Sequence, residues 1–323
     1  MRTNRSKRRL AWRNGRLTGL ALLIGGLAVA ALATADEAVV VSAQTQNHQQ
    51  AVEAWRASRD ERLRKPDGWL TLVGLEWLKE GENRIGSAAD NDIRLGGGPA
   101  YWGSVVLRDG QLQFNNAEPD SVKIDGQPLA SAKLVADTDG DPTIISSGTL
   151  NINVIFRESY ALRIKDSQAR TLQNFKGVEN YPIDESWLIN GRFIRAEEGT
   201  GIEIVNVLGQ VGESPVYGTF EFDRDGKTYQ LLALGTEDSE SLWFIFMDRT
   251  TGHGTYGAGR YLYSEGMPEN GRLTVDFNKA YNPPCAFNAY STCPIPPQRN
   301  RMDLWVLAGE KDFHPDTDLN EFK

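Results

Sequence analysis

The sequence has 323 residues, of which 43 are acidic and 35 basic, for a net charge of −8. Every charged residue before position 36 is basic, so the rest of the chain is more acidic than the whole. Because nucleic acid and anionic membrane surfaces repel an acidic protein, we expect neither as a partner. The length allows one or two domains with a substantial core.

The first 35 residues have the pattern of a secretory signal peptide. A basic leader precedes an apolar run over residues 17–33, and Ala33-Thr34-Ala35 forms a small-residue cleavage site. Arg8-Arg9 fits a twin-arginine signal only loosely, which favours ordinary Sec export. The alternative is an uncleaved anchor, but 17 residues span only about 25 Å as a helix, less than the ~30 Å hydrocarbon core. We therefore predict a periplasmic or secreted protein.

A spacer and one N-terminal helix are expected over residues 36–65. The segment from His48 to Lys65 has a helical composition with few apolar residues, and Pro66 ends it.

Beyond Pro66, short runs of alternating apolar residues are typical of strands. Asp-Gly pairs at 109–110, 125–126 and 225–226 separate such runs. This dipeptide favours tight hairpin turns, whose two central residues need positive φ. The continuous apolar run from Leu242 to Met247 predicts a strand buried on both faces. Since no amphipathic helix separates the strands, a parallel α/β architecture is not expected.

The sequence therefore predicts an all-β protein. We expect a small β-sandwich over residues 66–157 and a larger antiparallel β-barrel or sandwich over residues 158–323. The small part resembles the skeleton of a forkhead-associated sandwich in three segments: Gly81–Ser87, Asn91–Leu95 and Ile124–Leu129. Ser87 stands where that fold has a phosphate-binding arginine, so phosphopeptide binding is not expected.

The chain's only two cysteines, Cys285 and Cys293, lie in a proline-rich segment. In an exported protein, such a pair favours a disulfide, which here closes a short loop and contributes roughly 2.6 kcal/mol. Free or redox-active thiols are the alternative. A metal site needs two further thiol or imidazole ligands. Because the three histidines are scattered along the chain, we predict no metal.

Gly252 to Gly257 matches the G-x-G-x-x-G pattern of dinucleotide sites. Such a site requires a helix directly afterwards, whereas Arg260 to Tyr263 has the pattern of a strand. We therefore interpret the glycines as a hairpin loop and predict no cofactor. Serine-hydrolase chemistry is not indicated, since no G-x-S-x-G motif occurs and His253 lies in this loop, where we expect it to be exposed.

Three carboxylates follow predicted strands: Asp248, Asp276 and Glu310. Two of them on one cavity wall would serve as general acid and base in a hydrolase. The alternative is that they cap loops or pair with arginines such as Arg260.

A cavity lined by tyrosines, Arg260 and Asn278 would also suit a small polar ligand. The candidate ligand-binding residues are Tyr256, Arg260, Asp276, Asn278 and Tyr281. We expect the loop from Phe175 to Pro182 to close over such a cavity.

Between about Trp55 and Lys311 the sequence resembles a bacterial family known as domain of unknown function 1684. The resemblance is carried by Thr255–Leu262, Asp276–Cys285, Cys293–Pro297 and Asn300. It implies an exported protein and no particular activity.

The sequence predicts a protein that binds a small ligand or an envelope component. A carboxylate-dependent hydrolase and a structural accessory of the envelope are the alternatives. The glycine-rich hairpin and the cysteine loop are expected to lie side by side and frame one cavity. Arg260 would point into that cavity or brace it through Asp276.

We predict that the mature protein begins at or near Asp36, because the small-residue site directly precedes it. N-terminal sequencing of protein from the cell envelope measures this. An intact Met1 in the membrane fraction would identify an anchor instead.

Overall fold

The computed structural model describes residues 46–313. The described residues from Val52 onward belong to one compact unit. The predicted signal peptide lies outside the described residues. Over residues 46–313, none of the helices has the length and apolar character needed to cross a membrane.

Residues 46–313 contain few helices. Helix α1 covers residues 46–63 and ends before Pro66, as the sequence predicts. Its anchors Val52 and Leu63 are buried. Helix α2 is the single turn Arg170–Gln173, and the 3-10 turns are Trp69–Thr71, Glu185–Trp187, Phe277–Lys279, Pro284–Ala286 and Gln298–Asn300.

The first part of the fold is a β-sandwich of two five-stranded sheets. Strands are numbered in chain order. One sheet has the order β1 (Leu72–Trp77), β10 (Ser159–Asp166), β9 (Leu150–Arg157), β8 (Ile145–Ser147) and β6 (Lys123–Ile124). The other has the order β3 (Ile93–Arg94), β2 (Gly81–Gly86), β4 (Gly103–Arg108), β5 (Gln111–Asn116) and β7 (Ser131–Lys133).

The two sheets bury a shared core. Ile152 and Leu162 on one sheet belong to the same buried cluster as Val105 and Phe114 on the other. The sequence boundary after residue 157 requires a correction, because β10 pairs with both β9 and β1. A boundary placed at the β9–β10 turn separates two strands that are adjacent in one sheet. The resemblance to a forkhead-associated domain stays a prediction.

The second part is a seven-stranded antiparallel sheet. Its path is β16 (Arg260–Tyr263), β15 (Trp243–Phe246), β14 (Lys227–Leu234), β13 (Val211–Arg224), β11 (Leu188–Arg195) and β17 (Arg272–Asp276), with β12 (Gly201–Val205) paired to β13. A bridge between Ser264 and Val275 joins the two ends of this path, so the sheet curls toward a barrel. The all-β prediction is confirmed.

The predicted Asp-Gly turns are present. At all three pairs both residues have positive φ, for example 50° at Asp225 and 74° at Gly226 between β13 and β14. The predicted buried strand is β15, in which Phe244, Ile245 and Phe246 have no exposed surface. It lies between β16 and β14 in the sheet and ends just before Asp248.

Candidate functional site

Arg260 opens β16 and has no exposed surface. Its Nη2 lies 3.3 Å from Asp248 Oδ1 and 3.0 Å from the carbonyl oxygen of Val306, and its Nη1 donates to the carbonyl of Ala308. Burial lowers the pKa of Arg260, and the nearby charge of Asp248 opposes that shift. The guanidinium thus forms a buried ion pair and donates hydrogen bonds to backbone carbonyls.

Asp248 is the anionic partner of Arg260 in this ion pair. Its Oδ2 accepts hydrogen bonds from the backbone N–H of Val306 at 2.9 Å and from the hydroxyl of Thr250 at 2.8 Å. The Arg260–Asp248 pair therefore fixes the end of β15, the start of the glycine-rich loop and the segment after residue 305. The sequence expectation that Arg260 would be braced by Asp276 needs correction, since the ion pair is to Asp248.

Asp276 instead caps the 3-10 turn that follows β17. Its Oδ1 accepts from the backbone N–H of Asn278 at 3.0 Å and from the Asn278 side chain at 2.8 Å. The Asn278 amide also exchanges two hydrogen bonds with the backbone of Asp184. Because Asp276 and Asn278 are both buried, this pair holds the loop before β11 in place.

Glu310 pairs with α1. Its Oε1 lies 3.0 Å from Arg59 Nε, and its Oε2 accepts from the backbone N–H of Asn282 at 2.7 Å. The Arg59 guanidinium also covers the rings of Tyr281 and Phe287, at 4.9 Å and 5.6 Å from their centroids. Burial raises the pKa of Tyr281. Asp248, Asp276 and Glu310 therefore each accept several hydrogen bonds within the protein.

The glycine-rich loop and the cysteine loop contact each other. Tyr256 packs against the cluster that contains Ala286 and Phe287, and burial raises its pKa. Tyr261, at the start of the strand that follows, donates from its hydroxyl to the carbonyl of Pro294 at 2.9 Å. His253 is exposed, as the sequence predicts. The strand that follows the glycines, β16, takes the place where a dinucleotide site has its helix.

Cys285 and Cys293 form the predicted disulfide. Their loop contributes to two buried clusters, through Cys293 on one side and through Ala286 and Phe287 on the other. The bridge thus fixes a loop that is part of the core on both sides.

A groove of about 1030 Å³ lies beside α1. Three segments border it: the loop over residues 174–180, the glycine-rich loop and residues 311–313. Backbone hydrogen bonds join these segments, from Asp312 to the carbonyl of Gly254 at 3.0 Å and from Lys311 to that of Glu179 at 2.8 Å. The groove therefore has a fixed backbone frame.

The groove contains polar residues that sequence reasoning missed. Arg56 donates from Nη2 to the carbonyl of Tyr181 at 3.0 Å. Within the described range, Arg56 Nε and Asn180 Oδ1 are buried without a hydrogen-bond partner. The spacing of Arg56, Arg59 and Asp60 could have indicated this groove, because residues three and four positions apart lie on one face of a helix. The five candidate ligand residues are not among the residues that line this groove.

The fold and this site together define an all-β protein with a polar groove beside its N-terminal helix. Residues 173–311 match the model of the family described as "Protein of unknown function (DUF1684)". This match supports the resemblance noted in the sequence, and it includes the glycine-rich loop, Arg260 and both cysteines.

Among solved structures, the chain is similar to the solution NMR structure of the uncharacterized protein from gene locus rrnAC0354 of Haloarcula marismortui. The identity is 29%, the similarity covers 46% of this chain and 80% of that chain, and the TM-score is 0.37. No curated protein matches the sequence.

We predict that Arg260→Met destabilises the fold by about 3–5 kcal/mol, because it leaves Asp248 buried without its cationic partner. Chemical denaturation measures the loss. The control is Arg192→Met, which breaks an ion pair with Glu221 whose arginine side chain is 64% exposed. We expect that change to cost less than about 1 kcal/mol. Equal losses in the two variants would contradict a bracing role for Arg260.

We expect Cys293→Ala to destabilise the oxidised protein by about 2–5 kcal/mol, because the disulfide restricts the unfolded chain. Denaturation of the wild type in the presence of a reductant provides the matched measurement and should give a similar loss. Quantitative labelling of both thiols in exported protein would show that the bridge does not form.

Proposed function

We propose that this protein is exported from the cytoplasm and binds a small polar ligand in the groove beside α1. The ligand we infer carries both positive and negative groups, as amino acids, short peptides and some envelope components do. The basic leader and apolar run before residue 36 support export. The groove volume of about 1030 Å³ is at the upper end of the range for small-molecule sites.

The charges along the groove support a ligand with groups of both signs. Three basic and three acidic side chains line it: Arg56, Lys176, Lys311, Asp60, Glu179 and Asp312. A groove whose charged side chains all had the same sign would select a simple anion or a simple cation. Lys311 and Glu179 pair with each other at 3.5 Å, and Asp60 pairs with Arg64 at 3.6 Å. The groove therefore has no net preference for one sign and suits a ligand with groups of both signs.

The observation that carries this proposal is the pair of buried polar atoms, Arg56 Nε and Asn180 Oδ1. Buried polar groups in proteins nearly always have hydrogen-bond partners. Here Arg56 and Asn180 both line the same groove, and no described residue pairs with either atom. Burial also lowers the pKa of Arg56. A ligand with its own acceptor and donor would complete both pairs.

The alternative of a carboxylate-dependent hydrolase has less support. General acid–base chemistry needs a carboxyl within reach of a bound substrate. Asp248, Asp276 and Glu310 are at most 7% exposed, and each already accepts hydrogen bonds from the protein. Binding without chemistry is the simpler use of this site.

We predict that at least one member of a panel of amino acids and dipeptides raises the melting temperature of the protein. A ligand at 100 times its Kd stabilises by about 2.7 kcal/mol. Isothermal titration of that compound into Arg56→Gln should give an affinity at least tenfold lower than in the wild type, because Nε and the positive charge are lost.

The matched control is Arg62→Gln, which removes an exposed arginine from the same helix outside the groove. Its affinity should equal that of the wild type. An equal loss in both variants would assign the effect to general charge. A panel without any stabilising compound would favour a structural accessory of the envelope.

A further inference from the structure

Three arginines are buried over residues 46–313, and one of them lacks a carboxylate partner. Arg59 pairs with Glu310 and Arg260 pairs with Asp248. The third, Arg163, is 8% exposed. Its guanidinium lies 5.3 Å from the ring centroid of Trp69, and its Nε has no hydrogen-bond partner among the described residues. A buried cation without an anion is costly, so its surroundings need an explanation.

The position of Arg163 follows from the alternation of β10. Leu162 and Ile164 point into the sandwich core, so Arg163 projects from the opposite face of the sheet. There it borders a cavity of about 190 Å³, here called the Arg163 pocket. The cysteine loop supplies another wall of the pocket through Ser291, Thr292 and Cys293.

The charges around this pocket do not balance. Arg157 also lines it and holds Asp137 through two hydrogen bonds, of 3.1 Å and 2.9 Å. Asp137 thus neutralises Arg157, and the charge of Arg163 remains. Burial lowers the pKa of Arg163 to about 10, with the charge of Arg157 acting in the same direction and that of Asp137 against it. The side chain therefore stays protonated at neutral pH.

The pocket's walls limit the kind of anion that fits. Apart from the two arginines, Ser291 and Thr292, the residues that border the pocket are Trp69, Tyr261, Pro284, Cys293 and Pro294. The volume corresponds to about six water molecules at ~30 Å³ each. Such a space is too small for a peptide or a sugar chain. It accommodates a carboxylate attached to one ring or to a short apolar chain.

We propose that the Arg163 pocket is a binding site for a small organic carboxylate, distinct from the groove beside α1. The carboxylate lies against the guanidinium of Arg163, and the apolar part lies against Trp69 and the cysteine loop. An arginine fork is suited to a carboxylate because two parallel N–H groups meet its two oxygens.

Benzoate and benzamide are the probes, because they share a shape and differ in charge. In isothermal titrations at low salt, the wild-type protein should bind benzoate at least tenfold more tightly than benzamide. Arg163→Met should abolish that preference, whereas Arg94→Gln, which removes an exposed arginine from the same sandwich, should preserve it. Equal binding of the two probes by the wild type, or no binding, overturns the proposal.

Stability separates a ligand site from a structural arginine. If Arg163 serves a ligand, Arg163→Met removes an unpaired buried cation and leaves the melting temperature unchanged or higher. A large fall in the melting temperature of Arg163→Met would show that Arg163 packs against Trp69. Arg157→Gln then decides, and unchanged benzoate binding in Arg157→Gln overturns the proposal. That variant leaves Arg163 in place and should weaken benzoate binding at least fivefold, because Asp137 then repels the anion.

Inorganic phosphate tests the class of anion. Competition by phosphate at the same concentration as benzoate would show that the pocket selects charge alone, and would overturn the assignment to an organic carboxylate. Benzoate binding that persists against a hundredfold excess of phosphate supports it.

Discussion

The buried pair of Arg260 and Asp248 is the interaction on which the second part of this protein depends. Taking two charges out of water is costly, and their attraction offsets that cost only when the remaining donors and acceptors are also satisfied. Here the carbonyls of Val306 and Ala308 accept from the guanidinium, and Asp248 receives a backbone N–H in return. The segment from Val306 to Ala308, which belongs to no strand, is thereby held against the paired strands β15 and β16.

The Arg260–Asp248 pair also positions two of the segments that form the walls of the polar groove. On one side Asp248 leads through Thr250 to Gly252 and Gly254, which border the groove. On the other, Arg260 Nη1 reaches the carbonyl of Glu310 at 3.3 Å, directly before the groove residue Lys311. Residues that resemble a family motif thus support the groove from outside it, while the side chains that line the groove come from α1, the loop over residues 174–180 and residues 311–313.

Local patterns in the sequence predicted what is local in the structure. The Asp-Gly turns depend on two adjacent residues, the disulfide joins cysteines eight positions apart, and β15 is a single apolar run. The site depends on distant pairs. Arg59 meets Glu310 across 251 positions, and Arg260 finds Asp248 where Asp276 was an equally good partner by sequence. Asp248 and Asp276 have the same charge and both lie at the end of a strand, so the sequence does not show which of them pairs with Arg260. The curvature of the sheet decides which carboxylate lies near the arginine.

The contact between Arg59 and Glu310 also has a consequence for the order of folding. It joins the N-terminal helix to a residue near the end of the described chain, and the loop it closes contains both sheets of the sandwich and the curled sheet. Closing so long a loop is entropically costly, and contacts of large sequence separation form slowly. The contact between Arg59 and Glu310 therefore cannot form until the C-terminal segment has been made. A chain still emerging from a ribosome can have both sheets of the sandwich complete before the groove exists, because residues 311–313 form part of the groove's wall.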